Sequence, residues 1–176
     1  RFTIVFNGEI YNHLEIRKEL NKNFKISWKG SSDTETILNA IDHLGLKKAL
    51  QISVGMFAFA LWDNKNKTIS LARDRAGEKP LYYGFQSNIL LFASEIKAIK
   101  KHPYFLNEID KNITDTFLKL GYIPSPWTAW KNIFKLKPGC FITFSASNIV
   151  SQDSKPEEFW SFEETIKKSQ NNLFLG

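Results

Sequence analysis

The stretch MFAFALW at residues 56–62 is apolar at every position. A strand with one solvated face would alternate between apolar and polar side chains, so this pattern predicts a strand that is covered on both faces. The polar turn at 63–67 and the run TISLA at 68–72 predict an antiparallel hairpin partner for it. The sheet that contains this hairpin must therefore carry a layer of protein on each side.

Other short apolar runs predict further strands, and the tight turns between them indicate antiparallel pairing. They lie at residues 2–6, 81–84, 89–93 and 140–144, and a partner of the last run is expected near 149–150. Polar residues 151–158 indicate a linker. The pattern as a whole predicts an α+β protein in which helices cover one sheet and that sheet covers another.

Two helices are predicted ahead of the buried strand. Asn12 and Glu15 have the spacing of a capping box, and so do Ser32 and Glu35. Apolar residues three and four positions apart continue each pattern, and Gly45 is a suitable C-terminal stop for the second helix. Shorter helices are predicted at 46–52, 95–101 and 114–120.

The composition excludes several classes of protein. A length of 176 residues corresponds to one domain, and 43% hydrophobic with 14% aromatic residues excludes disorder for most of the chain. The apolar runs are far shorter than the roughly 20 residues of a membrane-spanning helix. The single cysteine, Cys140, excludes a disulfide framework and fits a reducing, cytoplasmic setting. The net charge of +6 is scattered and the histidines lack metal-ligand spacing, so we expect no nucleic acid, membrane or metal partner.

The first candidate for chemistry is Asn7-Gly8, directly after the strand at 2–6. A glycine at a strand end lets its main-chain N–H approach a ligand closely, and the neighbouring carboxamide adds a second donor. Two donors aimed at one point form an oxyanion hole for acyl transfer. The alternative is a plain strand-to-helix turn, which Asn-Gly favours by itself.

Two further candidates are charged. Asp33 stands at the predicted start of the second helix, where it is either a helix cap or a carboxylate that holds the α-ammonium of an amino acid. The dense run Arg73-Asp74-Arg75 lies between two apolar strands, where alternating charges can be a solvated hairpin. Its role is undefined from the sequence.

Together these pieces resemble the glutaminase half of the glutamine-hydrolysing asparagine synthetases, which are class II (N-terminal-nucleophile) glutamine amidotransferases. The matching motifs occur in the family's order and span nearly the whole chain. They are FNGEIYNH (6–13), SSDTE (31–35), GMFAFALWD (55–63), ARDRAGEKPLYYG (72–84), FASEIKAI (92–99), YIPSP (122–126) and KLKPG (135–139).

The resemblance implies a four-layer αββα sandwich of antiparallel sheets, the N-terminal-nucleophile hydrolase fold. It implies that Asn7 and Gly8 form the oxyanion hole and contact glutamine, and that Gly8, Glu9 and Asp33 hold the glutamine backbone. In the family, an N-terminal cysteine attacks the side-chain amide and its own α-amine acts as the base. A terminal amine with an ordinary pKa of about 8 can accept a thiol proton near neutrality.

This sequence has no such cysteine ahead of Asn7, and Cys140 is expected to be structural. We therefore expect a fragment cut at both ends that is inactive alone. Its expected domains are an incomplete glutaminase domain at 1–158 and, at 159–176, the linker into a synthetase domain that would use ATP and Mg²⁺. The implied partners are glutamine, that synthetase domain and a second copy of the chain in a homodimer.

Two other functions stay open at this stage. One is a glutamine-sensing module that has lost its nucleophile, and the other is an amidotransferase that serves a sugar or a secondary metabolite. The acceptor is chosen outside the residues that carry the resemblance, so these motifs do not identify it.

Overall fold

The computed structural model describes residues 1–147 and 154–170. The strands are β1 (Phe2–Ile10), β2 (Gly55–Asp63), β3 (Thr68–Arg73), β4 (Tyr82–Gln86), β5 (Ile89–Ala93), β6 (Ile133–Lys135), β7 (Cys140–Ser145) and β8 (Glu157–Glu158). The helices are α1 (His13–Asn23), α2 (Asp33–Leu44), α3 (Leu46–Ile52), α4 (Ile96–Ile99), α5 (Lys111–Leu120) and α6 (Phe162–Gln170).

The strands form two antiparallel sheets. One has five strands in the order β1-β2-β3-β7-β8, and the other has three in the order β5-β4-β6. β1 therefore lies at an edge of the larger sheet within the described part of the chain. β2 and β3 form the predicted hairpin, with Asp63 opposite Thr68 at the turn.

The prediction that the strand at 56–62 is covered on both faces is confirmed. The large side chains of β2 (Phe57, Phe59 and Leu61) pack in one core with α1, α2 and α3. Its small side chains, Ala58 and Ala60, face a second core shared with the smaller sheet. Alternation along one strand thus sends bulky groups to the helices and small groups to the neighbouring sheet.

A fourth layer lies on the outer face of the smaller sheet. Leu91 of β5 and Ile133 of β6 form a small core there with Ile99 of α4. The order of layers is helices, sheet, sheet and helix, which is the four-layer αββα arrangement implied by the resemblance. No helix in the described ranges is long and apolar enough to cross a membrane.

One of the two predicted helix caps is present in the structure, and the prediction of the other is wrong. The Ser32 hydroxyl accepts the N–H of Glu35 at 3.2 Å at the start of α2, and Gly45 ends that helix with φ 83°. Asn12 makes no capping bond to α1. Its carboxamide instead bonds the carbonyl of Ile52 and the N–H of Val54, each at 2.9 Å, and so ties the start of α1 to the end of α3.

The polar segment 151–158 is only in part a linker. Glu157 and Glu158 form β8 opposite Phe141 and Cys140 of β7, because main-chain pairing does not require apolar side chains. The strand expected near 149–150 lies outside the described residues. α6 begins four residues after β8 and has no buried residue.

The β2–β3 turn is organised by the nearly buried carboxylate of Asp63. It accepts the main-chain N–H groups of Lys65 at 2.9 Å and Asn66 at 3.2 Å, and the guanidinium of Arg1 at 2.9 Å. The hydrogen bond from Arg1 is the main reason that the pKa of Asp63 is lowered to about 2.

Replacing Asp63 by Asn should flatten the acid dependence of stability. A carboxyl group whose pKa is lowered in the folded state adds stability above its ordinary pKa of about 4, and that stability is lost as the pH falls through the folded value. We expect the free energy of unfolding to fall more steeply between pH 4 and pH 2 in the unmodified protein than in Asp63→Asn. Urea titrations at several pH values measure this, and parallel slopes would contradict it.

Candidate active site

The centre of the site is Gly8, near the end of β1, where the main chains of β1 and β2 approach each other closely. Gly8 has φ 145°, and a Cβ placed on it would lie 2.1 Å from the carbonyl oxygen of Met56 and 2.6 Å from the Cα of Phe57. No side chain fits between these strands, and the conformation is one that residues other than glycine rarely adopt. The glycine is therefore required by the contact itself.

The N–H of Gly8 points away from β2. Its partner across the strands is Phe57, whose N–H and carbonyl are both directed to the other side, toward Asp74. Opposite residues in an antiparallel pair alternate between bonded and non-bonded, so the Gly8–Phe57 pair is non-bonded. The same alternation directs the N–H of Ile10 away from β2, where it donates to the Asp33 carboxylate. The N–H of Tyr11 points toward β2 and donates to the carbonyl of Val54. Within the described residues the Gly8 N–H has no hydrogen-bond acceptor and faces the free edge of the sheet.

The side chain of Asn7 projects from the same edge toward the smaller sheet. Its Nδ2 donates to the hydroxyl of Ser94, just after β5, at 3.1 Å. Since an amide nitrogen carries two hydrogens, one donor position remains. Beside it lies a hollow of about 110 Å³ lined by Val5, Asn7, Ala58, Phe59, Ala60, Leu81, Phe92, Ala93 and Ser94. The two predicted donors thus lie on adjacent residues at one corner of the molecule, and the hollow adjoins the Asn7 side chain.

Asp33 is held against the end of β1. Its carboxylate accepts the N–H of Ile10, two residues beyond Gly8, and the N–H of Thr34, at 2.9 and 2.8 Å. Asp33 is the first residue of α2, while the cap is the preceding Ser32. The structure therefore joins Asp33 to the strand that carries Asn7 and Gly8, although Asp33 follows Gly8 by 25 positions in the sequence.

The start of α2 is fixed by Arg17 of α1. Its guanidinium donates to the Thr36 hydroxyl at 2.7 Å and to the carbonyls of Gly30 and Ser32 at 2.8 and 2.9 Å. It also stacks over the ring of Trp28, with 4.1 Å between the guanidinium carbon and the ring centroid. These contacts hold the segment before Asp33, and hence its carboxylate, in place.

Glu9 is exposed and follows Gly8 on β1. Partial burial, followed by the charges of Glu78, Glu9 and Asp74, raises the pKa of Tyr11. Acidic groups from β1 and from the loop after β3 therefore lie near the Tyr11 hydroxyl.

Cys140 is remote from this corner. It begins β7, which β2 and β3 separate from β1, so three strand spacings of about 4.8 Å place it roughly 14 Å away. Its side chain is packed between the two sheets, and burial raises the pKa of its thiol. Both properties oppose a nucleophilic role, because the thiolate is the reactive form.

The structure brings all four predicted site residues, Asn7, Gly8, Glu9 and Asp33, to the end of β1. Two residues at the site were not predicted from the sequence: Ser94, which bonds Asn7, and Arg17, which fixes the start of α2. Ser94 was inside the motif FASEIKAI, but nothing local connects it to a residue 87 positions earlier. In residues 1–147 and 154–170, no three His, Cys, Asp or Glu side chains gather as metal ligands would.

A family model described as "Glutamine amidotransferase domain" matches residues 1–160. The chain belongs to this amidotransferase domain family. Two curated relatives of the domain carry the name of one enzyme. A putative asparagine synthetase [glutamine-hydrolyzing] of Methanocaldococcus jannaschii is 39% identical over 136 residues, which are 76% of this chain and 25% of that protein. An asparagine synthetase [glutamine-hydrolyzing] of Bacillus subtilis is 36% identical over 157 residues, 84% of this chain and 24% of that protein.

The amidotransferase domain thus spans about a quarter of the length of these curated relatives. Among solved structures, the glutamine phosphoribosylpyrophosphate amidotransferase from B. subtilis matches with a TM-score of 0.59 at 20% identity. The match covers 90% of this chain and 29% of that one. At this identity the likeness establishes the fold, which is the one expected from the motifs.

Replacing Gly8 by Ala should destabilise the amidotransferase domain strongly. The methyl group would collide with the main chain of β2, and the backbone conformation would be strained, so we expect a loss of at least about 2 kcal/mol in the free energy of unfolding. Gly30→Ala is the matched control, because its Cβ would meet only the Glu35 carboxylate at 3.7 Å. Denaturant unfolding of both variants measures the difference, and equal stabilities would show that the strands do not approach as described.

Proposed function

We propose that this chain is the glutaminase part of a glutamine-hydrolysing asparagine synthetase. The observation that carries the proposal is the corner at the end of β1, where the Asn7 carboxamide lines a hollow, the N–H of the next residue, Gly8, faces outward, and the Asp33 carboxylate is held at Ile10. This corner lies in a domain of the amidotransferase family, and its curated relatives are named for this enzyme.

The proposed reaction begins with attack of a thiolate on the side-chain amide carbon of glutamine. The carbonyl oxygen then becomes an oxyanion, and the Gly8 N–H and the Asn7 carboxamide stabilise its charge. Collapse of this intermediate, with a proton added to the nitrogen, releases ammonia and leaves a thioester. Water hydrolyses the thioester to glutamate and restores the thiol. Because Cys140 is buried and remote, we do not assign the attacking thiol of this mechanism to it.

The amino-acid end of glutamine is assigned to Asp33 and Glu9. The Asp33 carboxylate is oriented by two N–H donors, one of which belongs to Ile10, two residues beyond Gly8 on β1. It can therefore accept from an ammonium group near the reacting amide. Glu9 adds negative charge at the same end of β1. A site with this negative charge prefers a free amino acid, which carries an ammonium group, over an amide that carries no charge.

The released ammonia would amidate aspartate in a separate synthetase domain. ATP and Mg²⁺ would bind in that domain and activate the aspartate carboxylate. We assign no residue of this chain to the binding of ATP or Mg²⁺. The greater length of the curated relatives supports such a division of labour.

One alternative is a glutamine-sensing module, and the position of Cys140 favours considering it. Such a module would bind glutamine at the same corner and release no ammonia. A glutaminase assay on the full-length protein that carries this domain separates the two functions directly.

Asn7→Ala tests the proposed oxyanion hole in that full-length protein. We expect glutamine-dependent turnover to fall by roughly 10²–10³-fold, the usual effect of losing one oxyanion donor. Synthesis from free ammonia should continue, because it bypasses the glutaminase site. Asn23→Ala, an exposed asparagine at the end of α1, is the control. If both activities of Asn7→Ala fell together, Asn7 would be structural.

Asp33→Asn tests the proposed ammonium site. Loss of the charge weakens binding of the substrate cation without touching the reacting amide, so the KM for glutamine should rise more than kcat falls. Asp42→Asn, near the other end of α2 and paired with Arg1, is the matched control. Steady-state kinetics with glutamine as the varied substrate give both constants. A fall in kcat at constant KM would reject the assignment.

A further inference from the structure

The loop after β3 is built around the carboxylate of Asp74, which is fully buried. A buried carboxylate is costly unless it is paired or hydrogen-bonded. Its oxygens accept three main-chain N–H groups, those of Phe57 at 3.2 Å, Glu78 at 3.0 Å and Lys79 at 2.9 Å. No cation within the described residues forms a salt bridge with it, so the charge is satisfied by main-chain donors.

The neighbouring Arg73 performs the opposite task on the same loop. Its guanidinium donates to the carbonyls of Gly77 and Lys79 at 2.7 Å each and of Leu136 at 2.8 Å. Asp74 thus accepts N–H groups of residues 78 and 79, and Arg73 donates to the carbonyls of residues 77 and 79, so the two side chains hold this segment together. The charges of Arg73 and Asp74 are therefore directed onto the main chain and are not part of a solvated hairpin.

Asp74 also determines the position of the strand opposite Gly8. The main-chain N–H of Asp74 donates to the carbonyl of Phe57 at 2.8 Å, while its carboxylate accepts the N–H of the same residue. Both polar groups of Phe57 are therefore held by Asp74 alone, just beyond the last paired residues of β3. Gly8 rests directly on the main chain of Phe57, where even a Cβ would not fit.

We infer that Asp74 is a positioning residue for the oxyanion hole. Through Phe57 it sets the plane of the Gly8 peptide and thus the direction of the N–H donor, without itself contacting glutamine. This inference rests on the proposed function. A misplacement of about 1 Å in a catalytic group can cost roughly 10²-fold in rate, so a residue that holds a donor in place acts on kcat.

The test is Asp74→Asn in the full-length protein, because the carboxamide keeps the size but replaces one acceptor by a donor. We expect kcat for glutamine hydrolysis to fall by roughly 10- to 100-fold, while the KM for glutamine stays within about threefold and ammonia-dependent synthesis is retained. The matched control is Asp63→Asn, which removes a nearly buried carboxylate that also gathers main-chain N–H groups, at the other end of β2. It should lose stability and keep kcat.

Three kinetic results would overturn the inference. They are an unchanged kcat in Asp74→Asn, a fall no larger than that in Asp63→Asn at equal loss of stability, and a rise in KM at constant kcat. If Asp74→Asn does not accumulate as folded protein, Arg73→Lys is the second variant. It weakens the bonds from Arg73 to the main-chain carbonyls of the same loop. The same selective fall in kcat is then expected, and an unchanged kcat overturns the inference.

Hydrogen–deuterium exchange separates this inference from the proposed function. Exchange in peptides covering residues 6–10 and 55–59 should increase in Asp74→Asn and not in Asp63→Asn. This measurement holds even if the unmodified protein fails to hydrolyse glutamine, which would refute the proposed function. Unchanged exchange in both segments would refute the positioning role by itself.

Discussion

The burial of β2 between two layers is the constraint from which the rest of the structure follows. Its large side chains face the helices and its alanines face the smaller sheet. Apolar burial of this kind supplies most of the stabilisation of a domain, and it fixes register because a shift by one residue would exchange the two faces. The small side chains also leave room. Ala58 and Ala60 line the hollow beside Asn7, so the pattern that organises the core opens space at the site as well.

Main-chain groups at the two ends of β2 are satisfied by carboxylates. Asp63 collects N–H groups at the hairpin turn, and Asp74 does so where β3 ends and Phe57 still needs a partner. In both places an acidic side chain takes over the acceptor role of a missing strand residue. The two carboxylates therefore help to hold β2, the strand against which Gly8 packs.

The sequence predicts the architecture well because its signals are local and strong. The unbroken apolar run at 56–62, the Ser32 cap and the Gly45 stop each depend on residues close in the chain, and all are present in the structure. Asn7, Gly8, Glu9 and Asp33 could be selected from motifs, and the fold brings them to one strand end. The roles of these residues in catalysis stay predictions.

Contacts between distant residues could not be predicted in the same way. Asn12 has cap spacing, yet its carboxamide finds better partners 40 residues away. The bond from Asn7 to Ser94 spans 87 positions, and the charges of Arg73 and Asp74 turn inward because main-chain groups of a loop need them. Sequence periodicity reports which face is buried, but it does not report which polar groups meet there.

The outer border of β1 has a consequence for how the site is completed. Alternate N–H and carbonyl groups along it, including the N–H of Gly8, face outward, and Val5 is 67% exposed beside them. Ahead of Gly8, such a border accepts an additional segment through main-chain pairing, while the Gly8 N–H must stay unpaired to act as the proposed donor. Any polypeptide that docks there brings its own side chains next to the Asn7 carboxamide, so the environment of that carboxamide depends on its neighbour as much as on the residues described above.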